Sequence, residues 1–75
     1  MSEEKRMRFV RLAEARVNRA LHDIRLIGNL ANTHNYDYTE EDVAKILTAL
    51  ESEQRALRAR FSAQKGSARA EFRLS

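Results

Sequence analysis

Ile24-Arg25-Leu26-Ile27-Gly28-Asn29-Leu30-Ala31-Asn32, followed after Thr33 and His34 by Asn35-Tyr36-Asp37-Tyr38-Thr39-Glu40-Glu41-Asp42-Val43, decides the fold of this chain. The first run is apolar at helical spacing and closes on asparagines. Their amides compete for backbone hydrogen bonds, so they suit a helix end better than a helix interior. The second run opens a new helix. Thr39 is placed for its hydroxyl to accept the backbone N–H of Asp42, and Glu40, Glu41 and Asp42 oppose the positive end of the helix dipole. Thr39-x-x-Asp42 is a capping box with Asp where Glu or Gln is usual. Two helices joined by a polar turn over residues 32–38 are the expectation.

On the N-terminal side of that turn, Val10, Ala13, Val17, Ala20, Ile24, Ile27 and Ala31 recur in alternating steps of three and four. This is a heptad seam on a helix over about residues 5–31. On the C-terminal side, Val43, Leu47, Leu50, Gln54, Leu57 and Phe61 repeat the pattern over about 39–62. Together the elements read as an all-α, antiparallel two-helix hairpin that assembles into a helical homo-oligomer. Phe9, Leu12 and Leu26 lie off the first seam and would sit in water if the hairpin were alone, so they imply an oligomer interface. Gln54 is the one polar member of the second seam. It either fixes register or oligomer state at some cost in stability, or reaches the rim and bonds water. Beyond Phe61 the periodicity lapses and Gly66 offers a stop, which makes residues 63–75 a mobile or weakly ordered tail.

Composition agrees. The chain has 75 residues, no proline, no cysteine and only two glycines, so it lacks the punctuation that sheets require. One domain this short struggles to bury enough apolar surface by itself. Disulfides are excluded, and His22 and His34, the only imidazoles, have no metal-ligand spacing around them, so no metal or other cofactor is expected. Self-association remains. No signal peptide and no apolar run of the ~20 residues needed for a membrane span is visible, which reads as a soluble cytoplasmic protein without a membrane partner. Charge is segregated: residues 1–30 carry seven Lys/Arg against four Asp/Glu, residues 31–54 one against six, and residues 55–75 six against one. In an antiparallel hairpin the two basic segments would meet at the open end, and the turn end would be acidic and rich in amides.

No nucleophile–base arrangement, glycine-rich phosphate loop or metal set is present, which argues against catalysis. Arg11, Asn18, His22, Arg25, Asn29 and Asn32 follow one another at helical spacing on one polar face. A solvated face is the ordinary explanation of such a row. Amides and a guanidinium together also hydrogen-bond bases, hydroxyls and phosphates, whereas solvating faces mostly use Lys and Glu. Gly28 costs about 0.5–1 kcal/mol against alanine within a helical pattern, which close approach of a ligand or partner helix would explain. Tyr36 and Tyr38 flank the turn, where each ring serves either to cap the core or to stack on a base. His34 and Asn35 suit a local turn role. At the open end Arg8, Arg11 and Arg58 belong to a second basic cluster able to hold phosphate. The modest net charge of +3 fits small anionic ligands rather than duplex DNA.

Arg16-Val17-Asn18-x-Ala20-Leu21-x-x-Ile24-Arg25-Leu26-Ile27-Gly28-Asn29-Leu30-Ala31-Asn32, with Asn35-Tyr36-x-Tyr38-Thr39-Glu40-Glu41-Asp42-Val43, resembles the helical-hairpin domain of phage anti-defence sponge proteins. These proteins sequester the cyclic nucleotide signals of bacterial CBASS and Thoeris immunity. The likeness spans roughly residues 8–61. It implies a homo-oligomer, often a hexamer, in the cytoplasm of an infected host, holding cyclic dinucleotides, cyclic trinucleotides or cyclic ADP-ribose products between subunits without cleaving them. Carried over by position, Arg25 would pair with phosphate and Asn29 and Asn32 would hydrogen-bond base or ribose. Gly28 would admit the ligand or a helix, and Tyr36 would stack or close the pocket. Arg8, Arg11 and Arg58 come from charge clustering alone. Two other readings fit the residues: a Rop-like dimer binding RNA as a four-helix bundle, and a protein–protein adaptor whose apolar flank captures a helix.

Overall fold

The computed structural model describes the backbone of residues 2–74 and the side chains of residues 2–64. It contains α1 (Glu3–Gly28), a 3-10 turn (Asn29–Ala31) and α2 (Glu40–Leu74), with no strand among the described residues. The all-α expectation holds. The chain divides into two units, Met1–Asp37 and Tyr38–Ser75.

In the first unit, Ser2 caps α1: its hydroxyl accepts the Lys5 N–H at 3.4 Å and its carbonyl accepts the Arg6 N–H at 3.0 Å. Glu3 and Glu4 face the positive helix end. At its other end α1 does not continue as a regular helix to residue 31. The Asn29 N–H is shared among the carbonyls of Arg25, Leu26 and Ile27, an extension of the bifurcated bonding common at helix termini. Asn32 then leaves helical geometry, with ψ at 103°. Its side-chain Oδ1 accepts the His34 N–H at 3.0 Å, and its backbone carbonyl accepts those of Asn35 and Tyr36 at 3.2 and 3.1 Å. Asn32 is therefore the residue that builds the turn, through the Asx geometry its short side chain allows. The sequence reading had placed that work on His34 and Asn35.

In the second unit, the capping box forms as expected and is reciprocal. The Asp42 N–H donates to Thr39 Oγ1 at 3.0 Å, and the Thr39 N–H donates to Asp42 Oδ2 at 2.9 Å. Asp suffices where Glu is usual. Thr39→Ala is expected to cost about 1 kcal/mol, seen as a lower thermal midpoint and reduced helical circular dichroism.

One boundary needs correcting: α2 passes through Gly66, where a stop was expected, and runs to Leu74. A single glycine weakens a helix by about 1 kcal/mol, while neighbouring Ala63, Ala68 and Ala70 favour helix and no proline intervenes. The mobility expected of residues 63–75 falls mostly on positions whose side chains lie outside the described set.

No described side chain is buried. Val10, Leu12, Ala13 and Ile27 are half-covered and the rest are exposed. Three of these four belong to the first seam, yet other seam residues are as exposed as off-seam ones: Val17 is 53% exposed and Leu57 54%, against 51% for Phe9 and 50% for Leu26. Among the described residues no helix is long and apolar enough to cross a membrane.

Candidate functional site

Arg25, Gly28, Asn29, Asn32 and Tyr36 all belong to the first unit and cluster where α1 ends. Four residues of α-helix advance about 400°, so Asn29 follows Arg25 on nearly the same face. Three residues of 3-10 helix complete about one turn, which brings Asn32 into line with Asn29. The backbone tightening at Asn29–Ala31 thus aligns the two amides better than a continued α-helix would. Arg25 sits in the last turn of α1, where its charge also complements the negative end of the dipole. Tyr36 lies four residues past Asn32, tied to it by the backbone bond and 47% exposed.

These groups differ in how far the chain already uses them. Asn32 has committed its side-chain oxygen to His34, which leaves its NH2 as the donor still to be used. The Arg25 guanidinium and the Asn29 amide have no partner among the described residues. Gly28 has ordinary helical dihedrals, φ −59° and ψ −30°, and a Cβ built on it would meet nothing within 4 Å. Neither conformation nor crowding within the chain calls for glycine there.

The remaining candidates lie elsewhere. Arg8 approaches Glu4 at 4.0 Å on an exposed helix face, a contact of little energetic weight. Arg11 shares a shallow furrow on α1 with Arg6, Val10, Glu14 and Asn18. Arg58 is on α2, beside Gln54, Leu57 and Phe61 along one furrow and beside Glu51 and Arg55 along another. Arg58 is thus an edge residue of the apolar seam. One contact escaped the sequence reading: the Arg6 guanidinium lies 5.8 Å from the centre of the Phe9 ring. The signal was an Arg–aromatic pair three residues apart on one helix. No three His, Cys, Asp or Glu side chains among the described residues gather to hold a metal ion.

No family model, curated protein or solved structure matches this chain.

Proposed function

We propose that this chain is a phage-encoded anti-defence sponge, binding cyclic oligonucleotide signals of the CBASS type, or cyclic ADP-ribose isomers, and holding them intact. In this reading the two helices return on one another as an antiparallel hairpin, and copies assemble, as a hexamer in the family it resembles, to cover the exposed seams. Arg25 pairs with a phosphate, Asn29 and the NH2 of Asn32 bond base or ribose edges, and Tyr36 closes over the ligand. Gly28 leaves room for its approach. Arg8 and Arg11 serve as auxiliary phosphate contacts; Arg58, which stood with them as a phosphate candidate, lies beside Leu57 and Phe61, and this reading assigns it to the assembly.

The observation that carries this reading is the pairing of an unpartnered guanidinium with an unpartnered amide, aligned on one face by the 3-10 turn, beside a glycine with open space around it. The motif resemblance adds the ligand class. A thermal-shift panel tests it, using cyclic dinucleotides, cyclic trinucleotides and cyclic ADP-ribose isomers, with linear nucleotides and a short RNA duplex as controls. Ligand at about 100 times its dissociation constant adds about 2.7 kcal/mol per site. A rise confined to cyclic species is expected. A rise with RNA alone, weakening steeply with salt, would establish the Rop-like reading in its place.

A further inference from the structure

The stripe Val43, Leu47, Leu50, Gln54, Leu57, Phe61 on α2 is exposed, Phe61 to 59%. Its two edges carry charge in a particular order. Glu51 and Arg58 stand seven residues apart along one edge, and Glu53 and Arg60 seven apart along the other. Each edge therefore changes sign at the same heptad step. None of the four has an ion-pair partner among the described residues, whose ion pairs are Arg8–Glu4 and Lys45–Glu41. The same polarity runs through the helix: residues 40–54 hold five Asp/Glu and one Lys, whereas residues 55–65 hold four Lys/Arg and no acid. A stripe of this kind is complementary to its own reverse.

We infer that α2 pairs with the α2 of a second copy, antiparallel, about a two-fold axis passing between Arg55 and Ala56. In that register Leu50 meets the partner's Phe61 and Gln54 meets the partner's Leu57. On the edges Glu51 lies beside the partner's Arg58 and Glu53 beside the partner's Arg60. The two-fold axis repeats each contact, so four opposite-charge pairs flank one apolar seam, as self-complementary interfaces require.

Neighbouring registers are disfavoured by the same residues. Sliding the partner by one heptad, so that the axis passes through Ser52, sets Glu51 and Glu53 against their own copies. Sliding the other way, to Ala59, does this to Arg58 and Arg60. A parallel pair in register keeps only the Glu53–Arg58 contacts, two pairs in place of four, and aligns the two helix dipoles. The pairing deepens the self-association within the proposed function and rests on it, independently of any ligand.

The test uses the full chain with Glu51→Arg, Arg58→Glu and the double variant, their association constants read by sedimentation equilibrium. Each single change turns two attractive contacts repulsive and is expected to weaken association about tenfold. The double variant is expected to recover wild-type association, and so is an equimolar mixture of the two single variants, because each supplies what the other lacks. Singles that associate normally, or a double variant that stays weak, would overturn this register while leaving assembly in place. A wild-type chain that sediments as a monomer at all concentrations would overturn the assembly itself.

Discussion

Diluting the protein roughly a hundredfold is expected to lower its helical signal and its thermal midpoint together, because a native state formed from several copies is governed by mass action. The reason lies in the burial pattern. None of the described side chains is buried, and isolated helices draw little stability from propensity alone, most of it coming from packing of an apolar face. Two amphipathic helices left with Val17, Leu47, Leu57 and Phe61 in water would be marginal at best. Leu57→Asp sharpens the point: removing an apolar side chain from a packed site costs about 2–5 kcal/mol, and burying a carboxylate in its place adds to that. The variant is expected to be monomeric and largely unfolded, by sedimentation and circular dichroism. Helicity unchanged on dilution, with Leu57→Asp folded, would mean that the single chain stands alone and that the seams serve another partner.

Arg25→Ala is expected to weaken binding of the cyclic ligand by about 10- to 100-fold, the range that follows from losing a charge-assisted hydrogen bond of about 1.5–3 kcal/mol. Isothermal titration measures it, and helicity and association state should stay as in the wild type. Asn29→Ala is expected to cost about tenfold by the loss of neutral hydrogen bonds. Asn32 does not offer so clean a test, since its side chain holds the turn through His34 and its removal disturbs structure as well as binding. Gly28→Ala supplies the complement. With open space around the position, the free protein should gain about 0.5–1 kcal/mol of stability, while ligand affinity falls. If Arg25→Ala binds as tightly as the wild type, the end of α1 is not the site.

How much of this was legible in the sequence depended on how local the governing interactions are. The start of α2 was fully readable, because Thr39 and Asp42 satisfy each other three residues apart and need nothing from the rest of the molecule. The end of α1 was readable to within one turn. What escaped was the division of labour among three asparagines, since Asn32 and Asn35 both favour turns and only the backbone geometry at ψ 103° decides between them. Gly66 misled for the opposite reason: a lone glycine is a weak signal, overcome by the alanines around it. For the candidate site, the helical row of Arg25, Asn29 and Asn32 was visible as spacing. The 3-10 turn that aligns the amides was not, because no residue type encodes it uniquely.

The capping box has a kinetic consequence. Starting a helix is its slowest and least favourable step, with an equilibrium penalty of about a thousandfold. Thr39 and Asp42 close two side-chain bonds, and the Val43 N–H closes a third with the Thr39 carbonyl at 3.2 Å, all within five residues. None of these bonds waits for another copy of the chain. The first turn of α2 is thus a built-in seed, from which the helix grows toward Leu47 and Phe61 before any partner arrives. In the proposed pairing two copies meet as partly wound segments, so the rate of assembly is expected to track the strength of a cap formed within one chain.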